Sequence, residues 1–433
     1  MTPRLPTLDD PLRILVFPGG SEVGLEIAAA LRYSKIVRLH SASADIPNHA
    51  PYIFSRHHLV PSVHQAGWLE ALNALIEREK IDLIFPAHDE VGYALAENAA
   101  RISAGVIGSS PETVCLTRFK SLTYERLRGL VPLPDLYTDV ESIPSFPVFI
   151  KPDRGQGSIG ARRVESAEEL RAERAQSAGM LTLEYLPGRE YTVDCFSDRD
   201  QGLRFCSPRE RTRVKAGIAM STTLVNRVDL EQWAPVILSR IPLSGAWFYQ
   251  MREDAAGRPK LLEVGARIAG AMSLNRILGV NLPLLSVYEH CRIPVTLEQL
   301  PIEARLDRAL VNRFASNLNY EALYVDLDDT LLLRGRVNTQ LVRLLYQAVG
   351  EGKWISLITR SRNDPVQTLQ DYRIRQLFDE VIWLQNGEPK SASMTRRPAV
   401  LIDDSYRERK EAAEAGQIAI DCSQIDLLLD DRI

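Results

Sequence analysis

Two stretches of the chain alternate short apolar runs with amphipathic helical patterns, and this alternation limits the architecture more than any other feature. Near the start, LRILVF (12–17), IVRLH (36–40) and IDLIFP (81–86) are interleaved with helical patterns over 22–33 and 68–80. From residue 321 onward ALYVDLDDT, WISLIT, EVIWL, PAVLIDD and QIAID alternate with helical segments in the same way. Short buried strands separated by helices predict parallel, doubly wound α/β units. Between them, residues 181–310 are strand-dominated (LTLEYL, EYTVDCF, GLRFC, AMSTTLV, AWFYQM, KLLEV), an α+β texture. The expected organisation is therefore multidomain: an α/β unit over 1–110, an α+β region in one or two lobes over 111–305, a linker over 306–320 within a charged, helix-patterned stretch that begins at 296, and a second α/β unit over 321–433.

A chain of 433 residues with 45% apolar and 25% charged residues can bury large cores and is not disordered in character. The net charge of −4 argues against non-specific nucleic-acid binding, which needs a basic face. No apolar run approaches the roughly 18 residues of a membrane span. The opening MTPRLPTLDDPLR lacks the apolar core of a secretory signal. Five scattered cysteines without CxxC spacing suggest neither a disulfide framework nor a zinc site, and the seven histidines show no HExxH or paired spacing. A reduced, cytoplasmic protein without membrane or nucleic-acid partners is expected.

In ALYVDLDDTLL, Asp326, Asp328 and Thr330 follow an apolar strand, and ligands of parallel α/β sheets bind at the carboxyl ends of strands. Two carboxylates spaced this way suit phosphoryl transfer: one attacks phosphorus, the other protonates the leaving group and then activates water. The sequence here resembles the haloacid dehalogenase (HAD) superfamily. The resemblance implies a Rossmann-like domain with Asp326 as nucleophile, Asp328 as acid/base, Thr359 on the phosphoryl oxygens and Lys390 steadying an aspartyl-phosphate. Asp403 and Asp404 in VLIDDSYRE would complete a Mg²⁺ site with Asp326 and Asp328, with Glu408 as the trailing acid. The short interval before Thr359 leaves no room for a large cap.

KPDRGQGSIGARRV places Lys151 at a strand end before a loop holding Gly155, Gly157, Ser158 and Gly160. Backbone N–H groups of such a loop approach phosphate oxygens closely and the lysine supplies charge, although hairpins are glycine-rich too. It is not a Walker A loop, since no GK[ST] follows. The surrounding residues resemble the ATP-grasp superfamily, especially its carboxylate–amine ligases and the carbamoyl phosphate synthetase large subunit. The likeness spans nearly all of 12–310 and implies a two-lobed ATP-grasp fold behind an N-terminal pre-ATP-grasp domain. It implies nucleotide contacts from Lys120, Lys151, Gly157, Ser158 and Arg211 (with Arg209 beside it), an adenine frame of Glu184, Tyr185 and Leu186, and ribose contacts from Glu190. Gln250 and Glu263 would hold Mg²⁺ (or Mn²⁺), and Arg267 would stabilise an acyl-phosphate transition state. Many members read E-x-N where this chain has Gly265, which puts the second metal in question. The charged run RERTR reads equally as a solvated sheet face. His88, Asp89 and Glu90 in FPAHDEVGYAL read either as substrate contacts or as a solvated turn with Asp89 as helix N-cap.

The combined expectation is an enzyme using ATP to activate a carboxylate for attack by an amine, fused to a Mg²⁺-dependent phosphatase acting on a phosphomonoester. The first alternative keeps catalysis in the phosphatase half and makes the ATP-grasp half a nucleotide-binding module; the second is a scaffold with neither activity. Ligases of the first type are often dimers, so a homodimer is among the expected states. The acid, the amine and the phosphoester have no signature in the sequence.

Overall fold

The computed structural model describes residues 5–155, 157–176, 179–200 and 202–432. The chain forms two compact units, Met1–Leu310 and Val311–Asp431.

The first unit opens with β1 (Leu12–Phe17), α1 (Glu22–Leu31), β2 (Val37–Ser43), β3 (His57–Leu59), α2 (Trp68–Glu79), β4 (Leu83–Pro86), α3 (Asp89–Glu97) and β5 (Gly105–Val106). These strands form a parallel sheet in the order β3-β2-β1-β4-β5. Ile14, Leu15, Val16 and Ile84 are fully buried, as central strands covered on both faces must be.

Two short helices follow, α4 (Pro111–Arg118) and α5 (Lys120–Leu127). The break at Phe119 is extended, and the Asp153 carboxylate accepts from the Ser121 N–H (2.8 Å) and hydroxyl (2.6 Å) at the start of α5. A small antiparallel sheet comes next, from β6 (Val148–Pro152), β7 (Arg162–Val164) and β8 (Met180–Glu184), with α6 (Ala167–Gln176) against it.

The larger lobe is a six-stranded antiparallel sheet. It contains β9 (Glu190–Asp198), β10 (Gly202–Lys215), β11 (Ile218–Leu224), β12 (Gly245–Glu253), β13 (Pro259–Gly265) and β14 (Arg305–Asp307), in the order β13-β12-β9-β10-β11-β14. Helices α7 (Val228–Glu231), α8 (Trp233–Arg240), α9 (Ser273–Ile277) and α10 (Leu282–His290) pack around it. One apolar core joins this lobe to the N-terminal sheet: Phe196, Ala246, Phe248 and Leu285 pack with Ile14, Val16 and Phe85.

The expected helix-patterned linker over 306–320 is corrected by the structure. Residues 305–307 form β14, an edge strand paired to β11, and no helix occurs among the described residues of 306–320. The physical reason is the pattern: Arg305 and Asp307 point to solvent and Leu306 is half-buried, a period of two that suits an edge strand. At the other end of the stretch, Leu318 and Tyr320 pack into the core of the second unit.

The second unit contains β15 (Ala322–Val325), a hairpin of β16 (Leu332–Leu333) and β17 (Arg336–Val337), α11 (Thr339–Gly350), β18 (Trp354–Thr359), α12 (Pro365–Asp371), β19 (Glu380–Trp383), α13 (Lys390–Ser393), β20 (Ala399–Ile402), α14 (Tyr406–Glu414) and β21 (Ile418–Ile420). Its five-stranded sheet is parallel, ordered β19-β18-β15-β20-β21, with an apolar core on each face. Asp326, Thr359 and Asp403 each lie at or just beyond the carboxyl end of β15, β18 or β20.

Candidate active site

Twelve residues singled out in the sequence of the first unit line one cavity: Lys120, Lys151, Gly155, Gly157, Ser158, Glu184, Tyr185, Leu186, Glu190, Arg211, Gln250 and Glu263. Lys151, the fourth residue of β6, is almost wholly buried and donates to the Tyr124 hydroxyl (3.0 Å) and the Leu262 carbonyl (2.9 Å). Burial lowers its pKa to about 8, although Glu263, Glu190 and Asp153 pull the other way. Lys120, the first residue of α5, donates to the Gly155 carbonyl at 3.1 Å and is likewise lowered by burial.

The glycine loop is held from several sides. Arg118 donates to the Gly155 carbonyl (3.1 Å), and Glu90 at the start of α3 pairs with both Arg118 and Arg154. Gly157, Ser158 and Gly160 adopt left-handed backbone, and the tip of the β10–β11 hairpin rests on the loop. A Cβ on Gly217 would overlap the Gly157 backbone, so this approach requires glycine.

Gln250 and Glu263 are direct cross-strand partners on β12 and β13, which brings an amide oxygen and a carboxylate to one spot. Arg211 donates to Gln250 (3.0 Å) and the Gly217 carbonyl (2.5 Å) and pairs with Glu190. Glu190 is therefore a salt-bridged wall residue in this state, and Arg252 lies 3.7 Å from its carboxylate. Glu184 pairs with Lys260, and Tyr185 stacks beneath the Arg163 guanidinium at 4.8 Å. Arg209 does not reach the cavity: it is buried in a two-point pair with Asp194 (2.8 and 3.1 Å), to which Asn275 also donates. The RERTR run thus divides, with Arg209 internal, Arg211 in the cavity and Arg213 half exposed.

The departure at Gly265 has a steric partner. Phe248 sits directly opposite on β12, and a Cβ on Gly265 would strike its ring. The donor set here is one carboxylate and one amide oxygen, which fits a single hard cation such as Mg²⁺ and offers no ligand at residue 265. Among the described residues the buried Nε atoms of Arg118 and Arg211 have no hydrogen-bond partner, which fits an anionic occupant.

A second chamber of about 310 Å³ adjoins the first and shares Lys120, Gly155, Gly157, Gly217, Gln250 and Glu263 with it. Arg267 lines it and is gripped by Asp89 in a two-point pair (2.6 and 2.7 Å). Burial raises the Asp89 carboxyl, but Arg267 outweighs it and holds the pKa at about 2. His88, rather than Asp89, caps α3, its Nδ1 accepting from the Glu90 N–H at 3.3 Å.

In the second unit the carboxylates of Asp326, Asp403 and Asp404 converge within 4.8 Å of one another. Lys390 donates to Asp326 and Asp403, both at 2.6 Å. Burial raises Asp326 to about 6 against the pull of Lys390. Lys390 itself is raised, because its two carboxylates outweigh its burial. Three convergent carboxylates fit a divalent cation of the Mg²⁺ type. Asp328 corrects the expectation for the metal set: it is exposed and outside that cluster, and lines a neighbouring cleft with Asp329, Arg334 and Ser361. The buried Thr359 hydroxyl accepts from the Ser361 N–H (3.1 Å), and Glu408 pairs with Arg360 (3.1 Å).

Tyr124, Arg118 and Phe248 were missed in the sequence. Only Phe248 had a signal, being two residues before Gln250 on a strand and so on the same face. The structure also gathers His40, His58 and Glu79 within 4.8 Å, from β2, β3 and α2, a grouping that no sequence spacing indicates. The His40 and His58 rings share a 3.2 Å contact, and Arg78 pairs with Glu79.

Comparison with known proteins places these features. Residues 176–308 match the family described as "ATP-grasp in the biosynthetic pathway with Ter operon". The chain is 26% identical over 341 residues to carnosine synthase 1 of Gallus gallus, the match taking in 66% of this chain and 36% of that protein. It therefore spans about a third of the length of the curated relative it matches. Among solved structures it is similar to biotin carboxylase from Campylobacter jejuni (TM-score 0.56, 16% identity, 66% of this chain and 72% of that one). It is also similar to L-amino acid ligase from Bacillus licheniformis (TM-score 0.53, 15% identity, 67% and 75%). No helix among the described residues is long and apolar enough to cross a membrane. The family match lies within residues 176–308, and the solved structures share the fold of about two-thirds of the chain.

Proposed function

We propose that the chain is an ATP-dependent ligase that activates a carboxylate as an acyl phosphate for attack by an amine, joined to a phosphatase of the HAD type. The observation that carries the ligase reading is the junction of two chambers. Lys120, Lys151, Arg211, Gln250 and Glu263 surround one, and it opens directly into another holding Arg267. A triphosphate in the first puts its terminal phosphoryl group at the entrance of the second. Of the neighbours, one is an L-amino acid ligase and one a carnosine synthase by name, which supports the reaction class.

In this reading Lys151 and Lys120 bind the phosphates and compensate charge as the bond to the leaving ADP lengthens. Gln250 and Glu263 would hold Mg²⁺, which supplies charge neutralisation when bound. Glu184, Tyr185 and Leu186 frame the base. Arg267 receives the substrate carboxylate, exchanging its Asp89 partner for it, and stabilises the charge that builds during phosphoryl transfer. The amine nitrogen then attacks the acyl carbon and phosphate departs. The domains in this reading are 1–110, 111–305 and 321–433.

For the second unit, Asp326 attacks the phosphoryl group of a monoester, Asp328 protonates the leaving oxygen, and water then releases phosphate from the aspartyl ester. Lys390 holds Asp326 in position, Thr359 orients phosphoryl oxygens, and Asp326, Asp403 and Asp404 would hold Mg²⁺. The convergent acids at parallel strand ends and the Lys390 bridge support this reading.

The test is ADP and phosphate release with Mg·ATP and pools of amino and organic acids, alongside a phosphomonoester panel. Pool-dependent ADP formation is expected to disappear in Lys151→Ala and persist in Asp326→Asn, and phosphomonoester hydrolysis to do the reverse. One observation favours a second reading, a nucleotide-binding module without ligase turnover: Phe248 fills the space a metal ligand at residue 265 would need. ATP binding without ADP formation from any pool selects that reading.

A further inference from the structure

The second chamber is chemically divided along its length. One face of α3, carrying Asp89, Gly92 and Ala96, forms a wall, and the seven helical steps from Asp89 to Ala96 extend it by about 10 Å. Every charged residue lining it among the described residues (Asp89, Arg118, Lys120, Glu263 and Arg267) belongs to the end next to the phosphate site. Arg118 marks the C-terminal end of α4 and pairs with Glu90 at the N-terminal end of α3, so the two helices run in opposite directions there. The far end is lined by Ala96 of α3, Pro111 and Val114 of α4, and Ala104 and Val106 around β5, all without charge. Small residues make this space. A Cβ on Gly92 would meet Pro86 and Val114 only at ordinary contact distance, so nothing else occupies it.

From this polarity we propose that the chamber selects a carboxylic acid whose non-reacting part is an apolar chain or ring. The carboxylate lies at Arg267 and the apolar part runs along α3 toward Ala96 and Val106. The inference rests on the ligase reading above and adds the substrate class to it. A second carboxylate or ammonium on the acid would have to shed its water at an uncharged wall, which disfavours it. Each methylene buried there favours binding.

The experiment uses the full chain with Mg·ATP and hydroxylamine as a generic amine. The acid oxygen displaces ADP from the terminal phosphorus. The hydroxylamine nitrogen then attacks the acyl carbon, the carbon–oxygen bond to phosphate breaks, and the nitrogen loses a proton, leaving a hydroxamate and inorganic phosphate. The acids are a straight series from acetate to octanoate, with dicarboxylates of matched length. The expected result is kcat/KM rising about fourfold per methylene until the chamber is full, with the dicarboxylates at least tenfold poorer. Ala96→Phe is expected to move the optimum to shorter acids, and Val114→Ala to longer ones. Opposite shifts from two positions separate chamber shape from general damage to the fold. A flat series, a preference for dicarboxylates, or variants that lower all acids equally would overturn the inference while ADP formation keeps the ligase reading. No ADP from any acid overturns both.

Discussion

Two buried lysines, one in each unit, show how the same side chain is held in different electrostatic states. Lys151 and Lys390 are both at least nine-tenths buried and both stand at a phosphate-type cavity or acid cluster. Lys151 has only neutral hydrogen-bond partners, the Tyr124 hydroxyl and the Leu262 carbonyl, so burial dominates and its pKa falls to about 8. Lys390 touches two carboxylates at 2.6 Å, and they more than offset its burial. A cation without a touching counter-ion is under-compensated and attracts an incoming anion. A cation already paired to two carboxylates is a structural pin. The first suits binding a mobile triphosphate, and the second suits aiming a fixed nucleophile.

The comparison is tested most severely at Asp326, the proposed nucleophile that Lys390 touches. Asp326→Asn removes the attacking carboxylate while keeping its shape, and phosphomonoester hydrolysis is expected to fall on the order of 10³-fold or more. ADP formation by the first unit should be unchanged in the same preparation. A parallel loss of both activities would break the division between the two sites.

Removing the lysines themselves should separate structure from function. Lys390→Met leaves Asp326 and Asp403 buried together without their cation, and breaking such a group costs about 3–5 kcal/mol. Chemical denaturation is expected to show the transition of the second unit moving to lower denaturant. In contrast, Lys151→Met exchanges an under-compensated cation for an apolar chain of similar length. Tyr124 still donates to the Leu262 carbonyl at 2.8 Å, so no buried acceptor there is left bare. Stability should change by less than about 1 kcal/mol, while kcat/KM for ATP drops about a hundredfold through loss of a charge-assisted phosphate contact. Equal destabilisation by both substitutions would show that the two lysines are not differently held.

The motif-borne half of each site was legible because its chemistry is spelled on single segments. Lys151 and the glycine loop are neighbours in sequence, and Gln250 and Glu263 lie on consecutive strands that pair directly. Strand ends, which carry Asp326, Thr359 and Asp403, can be read from apolar runs. What escaped was whatever depends on a partner far along the chain. Asp89 finds Arg267, and Glu90 finds Arg118 and Arg154, only after the N-terminal sheet packs on the larger lobe. Arg209 looked like a ligand contact because a strand pattern does not say which arginine has a buried Asp194 across the sheet. The resemblance put Asp328 among the metal ligands, and a motif match carries a role onto a position without showing whether that side chain joins the acid cluster. The helix pattern over 306–320 misled because a charged edge strand and a charged helix differ by period alone over so few residues.

The finest difference between the two lysines lies in their response to pH. A lysine whose folded pKa is lowered to about 8 is fully charged near neutrality and loses its proton within the working range of an assay. Since kcat/KM reports ionisations of the free enzyme, kcat/KM for ATP should be level below pH 7 and fall as pH rises through 8, approaching tenfold per unit above it. The sign follows from the phosphate: the charged lysine binds it, and the neutral amine does not. Lys151→Arg keeps its charge throughout this range and should remove the fall, even if its bulkier head lowers the level of the whole profile. A wild-type profile that stays flat from pH 7 to about 9.5 would mean that Lys151 is compensated as fully as Lys390, and the contrast between an open cation and a pinned one would not hold.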